Sequence, residues 1–161
     1  MPRLLLVHHS PTASVRALTD AVVSGAHDDA IEGVEVVVRP ALEATADDML
    51  GADGYLLGTP ANFGYMSGAL KHFFDSTFLA IGGSLADDGS ASPATGGRKP
   101  FGLYVHGRYD TTGAVRSVLS IVQALPWRQA AEVLEAMGEV TEADTEAAYE
   151  LGGTLAALLA D

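Results

Sequence analysis

The sequence contains no cysteine. That single absence removes a disulfide scaffold, a thiolate zinc site, an iron–sulfur cluster and a cysteine nucleophile together. Positive charge is scarce. Nine Lys and Arg residues stand against twenty-one Asp and Glu, a net charge of −12. A surface of that sign repels a phosphate backbone and an anionic lipid headgroup, so neither nucleic acid nor membrane is an expected partner. Long hydrophobic runs are missing as well. The first apolar run, Leu4–Val7, is too short for a signal-peptide core or a membrane span, which predicts a cytoplasmic protein. Two nucleotide fingerprints are absent. The loop after that run has no glycine and so no G-x-G-x-x-G, and G-x-x-x-x-G-K-[ST] occurs nowhere. What remains is 161 residues, 48% apolar and 19% charged, the make-up of a folded globular chain and the length of about one domain over 1–161.

Short apolar runs alternate with stretches of helical period. Arg3–His8 suits a strand buried on both faces. Val15, Leu18, Val22 and Gly25 then recur on one helix face. Val34–Arg39 is β-branched and strand-like, and Pro40 to Leu50 has room for a short helix with Pro40 near its start. Gly54–Gly58 reads as a third strand, and Met66 to Leu79 as a well-buried helix. Gly82 to Lys99 carries five glycines, three serines and Pro93 without apolar period, a long surface loop. Phe101–His106 is a fourth strand, and Gly113 to Leu125 a helix stopped by Pro126. Residues 128–137 are divided. Propensity favours helix, whereas the alternation asks for a fifth strand near Ala131–Met137, which is the reading adopted. Thr141 and Asp144 begin the last helix, with Ala148, Leu151, Leu155 and Leu158 on one face. Five strand–helix alternations predict an α/β fold, a five-stranded parallel sheet with helices on both faces. From Gln129 onward there are eight acidic and no basic residues, either a solvated helix face or a docking surface for a basic partner.

In such a sheet a ligand sits at the carboxyl ends of the strands. The loop after the first strand, His9 to Val15, places Ser10, Thr12 and Ser14 just before a helix. Hydroxyls and free N–H groups there form a phosphate site that needs no lysine, and helix capping alone also accounts for one of them. The loop after the third strand, Thr59 to Gly68, combines turn formers, the Asn62 amide and the aromatics Phe63 and Tyr65. Freed backbone groups and an aromatic ring there suit a flat heterocycle. A plain strand-to-helix turn leaves the aromatics without a reason.

Thr59–Gly68, continuing through Leu70-Lys71-His72-Phe73-Phe74-Asp75, resembles the G-T-P-x-x-F-G-x-M-S-G-x-x-K-x-F-x-D stretch of flavodoxin-like FMN proteins. It is most similar to the quinone-reductase branch typified by the tryptophan-repressor-binding-protein family. Ser10–Val15 resembles the phosphate loop of the same superfamily, with Ala13 where flavodoxins usually carry glycine. The resemblance implies a three-layer sandwich with strand order 2-1-3-4-5 and FMN as cofactor. Ser10, Thr12 and Ser14, with the backbone of Ala13 and Val15, would hold the phosphate. Thr59, Pro60, Ala61, Asn62, Phe63 and Gly64 would meet the ring and ribityl chain. Gly107, Arg108 and Tyr109 would form a third loop, Tyr109 stacking on the ring, with His106 beside it. Arg98 and Lys99 could meet a cofactor phosphate, or simply be solvated at the start of a strand. The only tryptophan, Trp127, lies outside these loops. The implied activity is electron transfer from NAD(P)H to a quinone-like acceptor, with a carrier that docks on protein partners as the alternative. No catalytic acid or base and no metal is implied, and the subunit number stays open.

Overall fold

The computed structural model of the chain describes residues 1–83, 87–88 and 98–160. Its elements follow the order β1 (Arg3–His8), α1 (Ala13–Ala26), β2 (Glu35–Pro40), α2 (Ala46–Leu50), β3 (Gly54–Asn62), β4 (Tyr65–Met66), α3 (Gly68–Thr77), β5 (Lys99–Gly107), α4 (Thr112–Val122), β6 (Trp127–Gln129), β7 (Leu134–Met137) and α5 (Glu142–Leu159). The main sheet is parallel, in the order β2-β1-β3-β5, and its far edge is shared by β6 and β7, which both pair with β5. Counting β6 and β7 as one interrupted strand, this is the expected 2-1-3-4-5 sheet of a flavodoxin-like sandwich.

Successive strand residues point to opposite faces. Leu4 and Leu6 of β1 therefore join Leu18 and Val22 of α1 and Leu151 and Leu155 of α5 in one core. Leu5 and Val7 join Phe73 of α3 and Val118 of α4 in the other. Both sides of β1 are covered, which is why its sequence is continuously apolar instead of alternating. On the first face α1 and α5 cross at backbone distance. A Cβ on Gly25 would stand 1.8 Å from the Tyr149 carbonyl oxygen, and one on Gly152 would stand 1.9 Å from that of Val22.

Several boundaries differ from the sequence reading, each for a local reason. Pro40 ends β2, and α2 begins only at Ala46, behind a capping box in which Thr45 and Asp48 satisfy each other's backbone N–H. The third strand does not stop at Gly58. It runs on to Asn62 and turns back as an antiparallel hairpin, so Met66 belongs to β4 and α3 starts at Gly68, capped by Ser67. The fifth strand forms, against helix propensity, because β5 offers an open edge. It is broken between Gln129 and Leu134. In α5, Ala148, Leu151 and Leu155 are buried as expected, but Leu158, in the last turn, is exposed. Most of the glycine-rich stretch between Gly82 and Lys99, residues 84–86 and 89–97, lies outside the described residues.

Candidate functional site

Strands β1, β3 and β5 are consecutive in the sheet and parallel, so the loops leaving their carboxyl ends form one continuous edge. The first loop is pinned to this edge where the His9 amide donates to the Gly58 carbonyl at 3.0 Å. Thr12 then caps α1. Its Oγ1 accepts from the Val15 amide at 3.3 Å, and its carbonyl accepts from the Arg16 amide at 3.0 Å. The Val15 amide is thereby used inside the helix cap, and the Val15 side chain is in the core. The N–H groups left at the mouth of α1 are those of Ala13 and Ser14, which have no carbonyl one turn earlier to receive them. The α1 dipole adds partial positive charge there.

Ser10 is tied inward. Its Oγ lies 2.8 Å from His8 Nδ1 and 2.8 Å from Thr19 Oγ1, and Thr19 Oγ1 lies 2.6 Å from the Tyr104 hydroxyl. Tyr104 is fully buried in β5, and burial raises its phenol pKa above the ordinary range. His8 is half-buried. Burial lowers its pKa, the neighbouring His9 adds to the effect, and Asp20 opposes it.

The second loop is the hairpin itself. Asn62 pairs with Tyr65 across a two-residue turn in which Phe63 has φ 51° and Gly64 φ 79°. Positive φ at both central residues is the pattern of a type I′ turn, which matches the twist of the flanking strands. Glycine accepts that backbone freely, whereas phenylalanine does so at a cost. Among the described residues Phe63 is the only non-glycine with positive φ. Its side chain is completely exposed, at 110% of the reference area. The tip rests on the first turn of α4 so closely that a Cβ on Gly113 would stand 2.1 Å from the Gly64 carbonyl oxygen. At the hairpin base Thr59 is fully buried. It donates to the Pro60 carbonyl and accepts from the Ser67 amide at 3.0 Å, so its hydroxyl is used within the protein.

The third loop leaves β5 at Gly107. Arg108, Tyr109 and Asp110 are exposed, Tyr109 at 86%. The Thr112 amide donates to Asp110 Oδ1 at 2.9 Å, and this bond lowers the carboxyl pKa. His106 contributes its backbone to β5, but its ring turns toward the sheet edge. Nε2 donates to the Gly138 carbonyl at 2.6 Å, a bond that fixes the exit of β7. A carbonyl only accepts, so Nε2 carries the proton.

The hairpin and the third loop face one another across a cleft of about 490 Å³ lined by Ala61, Asn62, Phe63, Gly64 and the exposed triplet of the third loop. That volume is ordinary for a small-molecule site. Its walls carry two large aromatic rings that bury themselves against nothing else, and the same edge carries free helix amides. A flat aromatic ligand with an anionic end fits that donor set. Lys99 does not belong to this edge. It begins β5, at the opposite end of the sheet, where its Nζ donates to the Ala52 carbonyl. Trp127 is also remote, buried in β6 and stacked on Tyr55 at 4.1 Å.

Residues the sequence reading passed over are His8, Thr19, Tyr104 and Asp110. Thr19 carried one usable signal: a hydroxyl on the apolar face of a helix, beside Leu18 and Val22, needs a buried partner. The partner, Tyr104, is 85 residues away, and nothing in the sequence joins the two.

Comparisons with known proteins agree with this geometry. Residues 14–142 match the family of NADPH-dependent FMN reductases. A flavodoxin of Aquifex aeolicus is 34% identical over 85 residues, covering 53% of this chain and 45% of that protein. An NAD(P)H dehydrogenase (quinone) of Acidithiobacillus ferrooxidans is 31% identical over 97 residues, covering 48% of each. The chain thus spans about half the length of the curated relatives it matches. Among solved structures, an archaeal flavodoxin superposes with a TM-score of 0.76 at 16% identity, covering 98% of both chains. A WrbA-like flavodoxin of Agrobacterium tumefaciens superposes with a TM-score of 0.68 at 17% identity, covering 99% of this chain and 98% of that one. The sheet order and a family match spanning most of the residues converge: the chain belongs to the NADPH-dependent FMN reductase family, within the flavodoxin-like superfamily.

Proposed function

We propose that the carboxyl edge of the sheet binds FMN and that the protein moves electrons from NAD(P)H to a quinone or a similar small acceptor. One observation carries the reading. Phe63 and Tyr109, on adjacent loops, expose nearly their whole rings to one cleft, and Phe63 does so on backbone that disfavours it. Strain retained at an exposed position points to use. In this reading the Ala13 and Ser14 amides, with the Ser10, Thr12 and Ser14 hydroxyls, hold the phosphate. Thr12 Oγ1 accepts within the cap and still has its own proton to donate. Pro60 to Gly64 and Gly107 to Tyr109 line the ring, and Thr59 and His106 hold those loops from behind. FMN supplies the redox chemistry when bound, taking electrons from a nicotinamide and passing them on. Phe63 and Tyr109 orient the ring and keep water from parts of its surface. The relatives named NAD(P)H dehydrogenase (quinone) support the donor and the acceptor.

The test is uptake of FMN by the purified protein followed by anaerobic addition of NADH or NADPH. Bleaching of the flavin absorbance by the nucleotide alone, and steady turnover once a quinone is added, is the expected result. The charge of −12 favours a second reading, a carrier docking on basic redox proteins. A bound flavin that saturating nucleotide leaves oxidised would select that reading instead.

A further inference from the structure

The hydroxyl chain behind the first loop has a fixed direction. Tyr104 is wholly buried, and its hydroxyl has one hydrogen-bond partner among the described residues, Thr19 Oγ1. Its proton must go there, because a buried donor left unpaired is costly. Thr19 then has its own proton free for Ser10 Oγ, its other partner. Ser10 accepts that bond and has one proton left, which it gives to His8 Nδ1 at 2.8 Å. Three hydroxyl protons therefore point one way, from the core of the sheet to the imidazole. Nδ1 is the acceptor at the end, and neutral His8 carries its proton on Nε2.

Ser10 is also the first hydroxyl of the loop that the proposed function assigns to the FMN phosphate, and a hydroxyl has only one proton to give. We propose that His8 is a positioning residue for that loop: its Nδ1 and the bound phosphate compete for the Ser10 hydroxyl proton, so phosphate binding converts His8 Nδ1 from acceptor to donor. The inference rests on the FMN reading. In the bound state Ser10 accepts from both Thr19 and His8, filling its two lone pairs, and donates outward. The Tyr104–Thr19 end of the chain is unchanged. No bond between heavy atoms is altered; the Nε2–H bond breaks and an Nδ1–H bond forms by proton exchange with solvent. One proton moves from Nε2 to Nδ1 of neutral His8, or solvent supplies a second proton to the ring.

His8 is placed for such exchange. Beside its ring and Ser10 lies a cleft of about 370 Å³ that also touches Arg16, Thr19 and Asp20 of α1. The charged and titratable groups facing it are His9 on the loop and Arg16 and Asp20 on α1, while β2 brings only the apolar Val38. The neighbouring β3 residue, Gly58, brings no charge. Asp20 favours the imidazolium, while burial and His9 oppose it. Burial and His9 thus favour the neutral ring in the free protein, and Asp20 keeps a second proton within reach.

The readout is the tautomer of His8, from long-range proton–nitrogen NMR of 15N-histidine protein. Spectra are recorded well above the midpoint of the ring, with the His8→Gln variant identifying the signal among five histidines. The free protein and a riboflavin-loaded sample, which lacks the phosphate, should both show Nε2–H. The FMN-loaded protein should show Nδ1–H, with its titration midpoint raised by about one pH unit, the size expected when a hydrogen bond to a charged group is gained. A raised midpoint alone could come from the phosphate charge, but the tautomer change could not. Ser10→Ala should restore Nε2–H in the FMN-loaded form. FMN bound with His8 still protonated at Nε2 overturns the inference and leaves the FMN reading intact. Failure to take up FMN at all removes both.

Discussion

Replacing Phe63 with asparagine should separate the stability of the protein from its cofactor affinity. Phe63 sits at φ 51° with its whole side chain in solvent, so it contributes no packing to the fold and strains the hairpin turn. A non-glycine residue in the left-handed region costs about 1–2 kcal/mol, and asparagine tolerates that region far better. Phe63→Asn should therefore stabilise the protein by about 0.5–1 kcal/mol. For a chain of this length that is a rise in Tm of about 1–4 °C. The same change removes one aromatic wall of the cleft. Fully burying a phenylalanine contributes about 1.5–3 kcal/mol, and covering one face of the ring about half of that, so FMN affinity should fall about threefold to twelvefold. Urea unfolding of the free protein and quenching of FMN fluorescence measure the two effects on one preparation. A variant that loses stability would mean the ring packs on the body of the protein. A variant that binds FMN as tightly as the parent would mean the ring does not meet the flavin, and the reading of the cleft would fail.

Other perturbations follow from the same contacts. Gly113→Ala forces a Cβ to 2.1 Å from the Gly64 carbonyl and must displace the hairpin tip; overpacking of this kind costs about 1–3 kcal/mol, and weaker FMN binding should accompany the lower urea midpoint. Thr19→Val leaves the buried Tyr104 hydroxyl without its partner and should cost about 1–3 kcal/mol. Adding Tyr104→Phe to Thr19→Val should then be neutral or stabilising, although it costs about 1 kcal/mol in the parent, so strictly additive urea midpoints would refute the chain of hydroxyls. Burial pushes the Tyr55 phenol up to about 12 and raises that of Tyr104 as well, so the folded protein keeps protons that the unfolded chain loses near pH 10. That stability is fully present below about pH 10 and is lost as the pH rises toward about 12. Tyr55→Phe should flatten the alkaline fall in urea midpoint, and an unchanged slope would count against the assignment.

The parallel sheet was legible because burial on both faces writes itself into continuous runs such as Leu4–Val7 and Gly54–Gly58. The α1 and α5 faces were legible from the helical spacing of Val15, Leu18 and Val22 and of Ala148, Leu151 and Leu155. The hairpin was not. Its turn is Phe63-Gly64 instead of the Asn-Gly that commonly signals a type I′ turn, and Met66 looks like the first apolar residue of the helix that follows. The same lack of a local signal hid how polar groups are engaged in the free protein. Ser10 and Val15 stand where a phosphate loop needs donors, yet the Val15 amide closes the helix cap and the Ser10 hydroxyl turns to His8 and Thr19. Local sequence tells which groups are near a helix mouth. It does not tell which of them a residue far along the chain has already engaged.

Two glycines explain how a sheet common to many proteins fixes this particular edge. Gly58 of β3 lies beside Tyr104 of β5, and a Cβ there would stand 2.0 Å from the Tyr104 ring. The missing side chain is the space in which the tyrosine lies, and the tyrosine hydroxyl in turn holds Thr19 and, through it, Ser10. The first loop is thus set from two strands away. Gly113 does the same for the second loop, letting α4 approach the hairpin tip. The two slots act on different walls. Gly58→Ala should disturb the hydroxyl chain and spare the Phe63 turn, whereas Gly113→Ala should move Phe63 and spare the tautomer of His8. Neither has a side chain to place at the site. Residues that bind nothing therefore set where the binding groups stand, and exchanging either should change FMN affinity through geometry alone.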